Sequence, residues 1–149
     1  MNLKEKLHHA CVAYIEKREQ TIKNIISSNK KALLSETKSS AGDKHETGRA
    51  MLQLEMEKAG QQIAVVQQMK ETLAKVDIQS SHDLVRLGSI IVTEKANYFI
   101  AISMGKTTVD NTDYFVISSA SPIGKLFLGK KENDTIIFNG NEFTIKVIH

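Results

Sequence analysis

The sequence has one cysteine, one proline, no tryptophan and few aromatic residues among its 149 positions. Cys11 alone excludes an internal disulfide, and the first residues contain no apolar run typical of a secretory signal, so we expect a protein of the reducing cytoplasm. No stretch of about 18 apolar residues is present, so no membrane-spanning segment is predicted. The Walker loop, the dinucleotide-binding glycine pattern and the Gly-x-Ser-x-Gly elbow are also missing, which argues against the enzyme classes that depend on them.

Composition divides the chain into two parts. Residues 1–77 contain no proline and a single aromatic residue, whereas residues 83–149 hold the β-branched runs and the only proline. We therefore predict two domains, one of residues 1–79 and one of residues 80–149. Residues 1–49 carry ten Lys or Arg against six Asp or Glu, while the net charge of the whole chain is +3. A basic first arm is compatible with a polyanion such as RNA, although a solvated helix face with mixed charges explains the same pattern.

Apolar residues in the first domain recur at steps of three and four residues, which predicts two amphipathic helices. Small polar residues at 35–43 favour a turn between them. With roughly thirty residues per arm at about 1.5 Å rise, the helices would form an antiparallel coiled-coil hairpin on the order of 45 Å long. The first stripe comprises Leu3, Leu7, Ala10 or Cys11, Tyr14, Ile22, Ile25 and Ala32; the second comprises Leu52, Met56, Ala59, Ile63, Val66, Met69 or Lys70, Leu73 and Val76.

The second domain shows the period of two that is typical of β-strands. Ser121-Pro122 is well placed to begin a short helix that runs through Leu128. Asn139-Gly140 is the preferred pair for a tight type I′ turn, so a hairpin is expected to close the chain. The fold class is therefore α+β, a helical hairpin followed by a small sheet domain. Strands are predicted over residues 84–92, 98–103, 114–118, 135–138 and 143–148, with breaks at 105–106 and 110–113.

The most informative polar motif is the pair Asp43 and Glu46 at the turn into the second helix. Carboxylates three residues apart lie on one side of a helical turn, where they can share a cation or orient water. Asp43 as the N-cap with Glu46 at N3 is a variant of the capping box and explains the same pair without any ligand. Two carboxylates hold Mg²⁺ weakly, so a metal site here needs ligands from a partner. His45 and the His8-His9 pair do not complete such a site, because adjacent helical side chains diverge.

Two further features have structural explanations. Cys11 lies on the apolar stripe, so we expect it to pack in the core. Residues 118–131 read as a capped short helix that stops at Gly129. Their apolar members are too numerous for one buried face of so short a helix, so part of this segment is also a candidate docking patch. These apolar members are Ile123, Leu126, Phe127 and Leu128.

The acidic pair and the second-domain segments, in this order, resemble the bacterial Gre family (GreA/GreB) of transcript cleavage and elongation factors. The first domain resembles the family in its hairpin and at Gly42-Asp43-x-x-Glu46. Resemblance in the second domain covers nearly all of residues 80–149. It is carried by Ile117-Ser118, Ser121-Pro-Ile-Gly-Lys125, Leu128-Gly-Lys-Lys131, Asp134 and Phe143-Thr-Ile-Lys-Val-Ile148, with Val85, Leu87-Gly-Ser89 and Tyr98 at its start.

The resemblance implies an FKBP-like second domain that docks at the rim of the secondary channel of bacterial RNA polymerase. It implies that Asp43 and Glu46, at the hairpin tip, share a Mg²⁺ ion with the polymerase active site, and that the protein binds no metal stably alone. The protein would then stimulate the polymerase's own cleavage of backtracked RNA and not be an enzyme itself. The docking residues implied are Ser121, Pro122, Ile123, Gly124, Lys125 and Leu128, and the basic residues expected near the nascent RNA 3′ end are Lys23, Lys30, Lys31 and Lys38. The resemblance also implies that the protein is a DNA-binding transcription factor.

Alternatives remain at this point. Thr47 stands where the family usually has Asn, and residues 48–51 lack its Tyr. These departures keep a second interpretation open, a Gre-like regulator that binds the polymerase channel without cleavage activity. A coiled-coil adaptor unrelated to transcription leaves the second-domain motifs to coincidence, and a prolyl isomerase pocket normally needs several aromatic residues. We expect a monomer, although pairing of these helices between two chains would satisfy the same stripes.

Overall fold

The computed structural model describes the backbone of residues 1–38 and 42–149 and, within these, the side chains of residues 1–35 and 47–149. Two long helices come first, α1 (Leu3–Lys38) and α2 (Gly42–Ala74), and form the predicted helical hairpin. The sheet domain consists of β1 (Ile90–Thr93), β2 (Asn97–Ala101), β3 (Gly105–Val109), β4 (Thr112–Ser118), α3 (Pro122–Phe127), β5 (Thr135–Phe138) and β6 (Asn141–Ile148). The α+β class is therefore confirmed.

By its internal contacts the chain divides into two compact units. Unit 1 comprises Met1–Tyr14 together with Met69–His149, and unit 2 comprises Ile15–Gln68. The first residues of α1 and the last residues of α2 therefore belong to the same compact unit as the sheet. The predicted domain boundary between residues 79 and 80 rests on composition and stays a prediction, as does the FKBP-like character of the sheet domain.

In unit 2 each helix buries one stripe of side chains. On α2, Ala59 and Val66 are buried, as the apolar pattern predicts. On α1 the buried positions are Ile15, Ile22 and Asn29, at steps of seven residues. Two turns of helix separate such residues, so they stay on one side. The predicted stripe on α1 is wrong in part, because Ile25 is exposed and the polar Asn29 takes an interior position.

Unit 1 contains the other ends of the two helices. Leu7 and Cys11 of α1 are fully buried there, and Leu73 near the end of α2 and Val76 just after it are buried as well. Burial raises the pKa of the Cys11 thiol to about 12, because the thiolate loses its hydration in an apolar environment. The prediction that Cys11 packs in the core is confirmed.

The six strands form one sheet in the order β3-β4-β2-β1-β6-β5. Neighbouring strands are antiparallel except β2 and β4, which are parallel. Residues of the central strands are buried on both faces: Tyr98 and Ile100 point to one side, and Phe99 and Ala101 to the other. The first side belongs to the main core cluster, which consists of Val85, Ile91, Tyr98, Ile100, Phe127, Ile136, Ile145 and Ile148.

The strand predicted for residues 84–92 begins only at Ile90. Gly88 has a φ of 91°, which is not a strand conformation, and the Ser89 hydroxyl accepts a hydrogen bond of 3.0 Å from the backbone N–H of Arg86. These two residues fold the chain into a turn before the strand. The apolar alternation extends into this segment because Val85 is buried and Leu87 is half-buried in the turn as well.

The turns of the sheet domain and the end of α1 can also be compared with the sequence patterns. Strand β3 is not predicted from the sequence, because residues 105–106 and 110–113 are expected to be breaks. In the structure Asp110 and Asn111 have φ values of 52° and 63°, which makes them the two central residues of a tight hairpin turn. Asn139-Gly140 has the same geometry, with φ values of 51° and 78°, so the predicted turn is confirmed. Helix α1 continues to Lys38, so the predicted turn at residues 35–43 is too long.

The segment that follows α2 is held by polar contacts within unit 1. Lys4 is buried, and its Nζ donates a hydrogen bond of 2.7 Å to the carbonyl oxygen of Ser80. Desolvation lowers the pKa of Lys4, although the nearby Asp77 carboxylate opposes this shift. Lys6 Nζ lies 2.9 Å from an Asp110 carboxylate oxygen in the β3–β4 turn. These contacts attach the start of α1 to two different segments of the sheet domain.

Asp77 organises the same segment. Its Oδ1 accepts backbone N–H bonds from Gln79 at 2.9 Å and Ser80 at 3.2 Å. Hydrogen bonding by the Ser80 side chain and by these two N–H groups lowers the pKa of Asp77 from 3.8 to about 2. The carboxylate is therefore more stable in the folded chain than in the unfolded chain.

We predict that Asp77 contributes stability that is present above about pH 4 and is lost as pH falls through about 2. Asp77→Asn should keep the turn through its amide oxygen and remove this part of the acid dependence. Urea denaturation between pH 2 and pH 6 measures the free energy of unfolding of both proteins. The gap between the two curves is expected to narrow toward pH 2, and parallel curves would contradict the assignment.

Candidate functional site

The acidic pair lies at the start of α2. Asp43 and Glu46 are in its first two turns, and their spacing of three residues places their Cβ atoms on one side of the helix. Helix α2 includes Asp43 in its first turn, and the predicted capping role of this residue stays a prediction. Carboxylates in a first turn still interact favourably with the helix dipole. The side chains of Asp43, Glu46 and His45 lie outside the described residues.

The predicted RNA-proximal lysines lie on α1. Lys23, Lys30 and Lys31 are exposed in unit 2. Lys23 and Lys30 are two helical turns apart and share a side of the helix. Lys23 also contacts Glu19, with 3.4 Å between Nζ and the carboxylate, so part of its charge is already compensated. The side chain of Lys38 is outside the described part of the chain.

The predicted docking segment begins with a turn after β4 that a single carbonyl organises. The Ser118 carbonyl oxygen accepts from the backbone N–H of Ser121 at 3.1 Å and from its hydroxyl at 2.7 Å. The Ser121 Oγ in turn accepts a bond of 3.1 Å from the N–H of Gly124, which makes Ser121 the N-cap of α3. Pro122 follows in the first turn, where its fixed φ favours a helix start. Ser121 thus has a structural role.

Gly124 is also required by packing. A Cβ placed on it would lie 2.1 Å from the Ser118 carbonyl oxygen and 2.8 Å from the Ser121 Oγ. No real Cβ makes such a contact with backbone, so only glycine lets α3 start this close to the end of β4. The next helical turn places Phe127 fully inside the core, with its ring centroid 5.0 Å from that of Tyr98. Ile123 packs beside it, half-buried.

The remaining side chains of this segment face solvent. Leu126 and Leu128 are 38% and 39% exposed, and Pro122 and Lys125 are exposed as well. We call these four residues the α3 surface. The docking residues that the resemblance implies therefore separate into two groups: Ser121, Ile123 and Gly124 build the helix, whereas Pro122, Lys125 and Leu128 are exposed as part of the α3 surface.

Sequence reasoning did not associate Leu84 with this segment. Val85 donates its N–H to the Lys130 carbonyl at 2.8 Å and accepts a bond of 2.8 Å from the N–H of Gly129, so its segment lies against the end of α3. The preceding Leu84 is 52% exposed. The sequence placed Leu84 in a strand, where an exposed position needs no explanation. Its place beside α3 appears only when the chain is folded.

No group of three or more His, Cys, Asp or Glu side chains that suits a metal ion occurs in the part of the chain that the structure describes. The carboxylates of the acidic pair are outside that part. Within the described residues, no helix is both long enough and apolar enough to span a membrane.

The fold and site define a protein with a helical hairpin, an acidic pair in the hairpin and a small sheet domain that exposes the α3 surface. No family model and no curated protein matches this sequence. Three solved chains match it, among them one from a structure of the transcription factor Gfh1. This chain is 17% identical to it, the match covers 95% of this chain and 92% of that one, and the TM-score is 0.36. A likeness at this level does not establish a family.

We predict that Gly124→Ala destabilises the sheet domain by several kcal/mol, on the order of 2–4, because the added Cβ forces α3 away from Ser118. The matched control is Gly60→Ala in the interior of α2, where nothing lies within 4 Å of the added Cβ. Alanine should there stabilise the chain by about 0.5–1 kcal/mol. Thermal unfolding followed by circular dichroism measures both changes, and equal effects of the two substitutions would refute the packing role of Gly124.

Proposed function

We propose that this protein is a Gre-like transcription factor that binds bacterial RNA polymerase, inserts the end of its helical hairpin into the secondary channel and stimulates cleavage of backtracked RNA. One observation carries the proposal: a single chain joins a long helical hairpin, with Asp43 and Glu46 at the start of α2, to a sheet domain with an exposed α3 surface. The sequence motifs described above supply the link to this family.

In this proposal the hydrolysis of RNA belongs to the polymerase. Asp43 and Glu46 would offer carboxylate oxygens, the ligand type that Mg²⁺ prefers, but too few to complete its coordination. They fit a role in which the polymerase supplies the other ligands, so that the ion is shared between the two proteins. A Mg²⁺ ion held in this way stabilises charge on the phosphodiester during in-line attack of water. The chain alone would not be an enzyme.

Charge on α1 supports contact with RNA. Lys23, Lys30 and Lys31 are exposed on the arm that leads toward the acidic pair. Lysines attract phosphates through a salt-dependent interaction that needs no base recognition. Together with Lys38 they would hold the extruded 3′ end near the carboxylates. The factor would act as a cytoplasmic monomer, and DNA would be met within the transcription complex.

The α3 surface supports docking on a protein. It combines two leucines and a proline with the charge of Lys125. Apolar side chains surrounded by polar groups are typical of the centre of a protein interface. The proposal places this surface against the polymerase at the rim of the channel.

A second candidate is a regulator that occupies the polymerase channel without promoting cleavage. Thr47 and the Gly48-Arg49-Ala50-Met51 stretch depart from the residues that follow the acidic pair in the Gre family. These positions lie next to the carboxylates, so they would alter contacts at the active site while leaving the α3 surface unchanged.

We predict that the wild type, added with Mg²⁺ to a backtracked elongation complex of the cognate polymerase, releases short RNA 3′ fragments. Asp43→Ala and Glu46→Ala should each lower the cleavage rate by roughly two orders of magnitude, since a shared metal loses an oxygen ligand. Binding to polymerase should persist. Glu57→Ala is the matched control, because Glu57 is an exposed carboxylate farther along the same helix.

Each other outcome has a defined meaning. Binding by the wild type with no acceleration of cleavage would select the regulator without cleavage activity. Helix stability lowered by about 1 kcal/mol with cleavage intact would show that the acidic pair only stabilises the helix start.

We further predict that Lys125→Glu and Leu128→Ala each weaken binding to the polymerase by roughly tenfold, because both remove a complementary contact at the interface. Neither should lower the thermal stability of the free protein strongly, since both side chains are exposed. Lys146→Glu, a charge reversal at an exposed position of β6, is the control. Unchanged affinity in both variants, measured by fluorescence anisotropy, would exclude the α3 surface as the docking site.

A further inference from the structure

We propose that the layer formed by Asn29, Ala59 and Gly60 is a built-in opening point of the hairpin, which separates a firmly closed segment from one that opens locally. The inference does not depend on the proposed function. It concerns unit 2 alone, and the free protein is enough to test it.

Asn29 is the first observation. It occupies the buried stripe of α1 seven residues after Ile22, where a large apolar side chain is expected, and it is only 8% exposed. Its amide nitrogen is buried and has no hydrogen-bond partner among the described residues. An NH2 group that is buried without an acceptor has lost its hydrogen bonds to water, so it destabilises the closed state of the layer.

Weak apolar contact in the same layer is the second observation. Asn29 and the small Ala59 line an open groove along the helix pair, about 640 Å³ in volume, whose other lining residues are mostly polar. In the neighbouring layer the larger apolar side chains of Ile22 and Val66 are buried. Because an asparagine and an alanine bury less apolar surface than an isoleucine and a valine, the helices are held together less strongly at Asn29.

Gly60 is the third observation, because it lowers the stability of the α2 helix independently of the packing between the helices. It lies in the interior of α2, and nothing is within 4 Å of the place where its Cβ would be. Glycine is thus not needed there for close packing. It lowers the helical propensity of α2 at the layer where the helices hold each other least.

Burial changes from one side of this layer to the other. Among residues 15–27 and 61–68, Ile15, Ile22 and Val66 are almost completely buried. Among residues 30–35 and 47–58, Leu34, Met51 and Leu54 are more than 60% exposed, and the stripe residues Leu52 and Met56 are only half-buried. Opening this second segment therefore exposes less apolar surface than opening the first, so the two segments are expected to differ in local stability.

Hydrogen exchange of the full-length free protein, read by mass spectrometry, tests the proposal. Protection factors in residues 30–35 and 47–58 should be at least about tenfold lower than in residues 16–27 and 61–68, with a step at Asn29 instead of a gradual slope. Asn29→Leu replaces the unpaired amide by an apolar side chain, so it should raise protection in residues 30–35 and 47–58 on the order of tenfold. Gly60→Ala should raise it in the same segment by a smaller factor.

Asn24→Leu is the matched control. Asn24 lies on the same helix and lines the same groove, but it is exposed and its amide oxygen accepts a bond of 2.9 Å from Gln20. This substitution should leave the step in place. Uniform protection along both helices of the wild type would overturn the proposal, and so would an unchanged or lower protection in both Asn29→Leu and Gly60→Ala.

Discussion

The central strands of the sheet are apolar on both faces, and this constraint shapes unit 1. Phe99 and Ala101 are as completely buried as Ile100, which lies between them and points the other way. A strand of this kind requires cover on two sides. Helix α3 supplies it on one face through Phe127. The ends of the long helices belong to the same compact unit, and Leu3 and Lys4 line a small cavity together with Ile90.

The α3 segment shows how one short motif serves two purposes. Ser121 and Gly124 fix the position of the helix relative to β4, and Phe127 attaches it to Tyr98. Without these contacts, exposed residues on the same helix would have no defined arrangement. The residues that support a resemblance to a family are therefore in part those that build the domain, and only the remaining ones are candidates for contact with a partner.

Sequence reasoning succeeded where a residue's chemistry determines its local structure. The buried positions Ala59, Val66 and Leu73 of α2 and the Asn139-Gly140 turn were predicted correctly, because helical periodicity and positive φ have direct sequence signals. Asp110-Asn111 forms the same kind of turn with a less distinctive pair, so β3 was missed. The burial of Asn29 was not predicted either, because a polar side chain is normally expected on the exposed face of a helix.

The sequence predicted where the candidate docking segment lies better than it predicted which of its residues are buried and which are exposed. The segment around α3 was identified from its capping residues and glycines, but the close approach of Gly124 to Ser118 requires three-dimensional contact between two elements. Leu84 illustrates the same limit. It lies 38 residues before the start of α3 in the chain, and the backbone pairing of Val85 brings its segment alongside.

The separation between buried and exposed side chains on α3 has an evolutionary consequence. Lys125, Leu126 and Leu128 can change without disturbing the contacts that seat the helix, because those contacts run through other residues. Mutations at the exposed positions therefore explore new partners at little risk to folding. A scaffold arranged in this way can acquire or lose a binding partner within a lineage while its architecture stays the same.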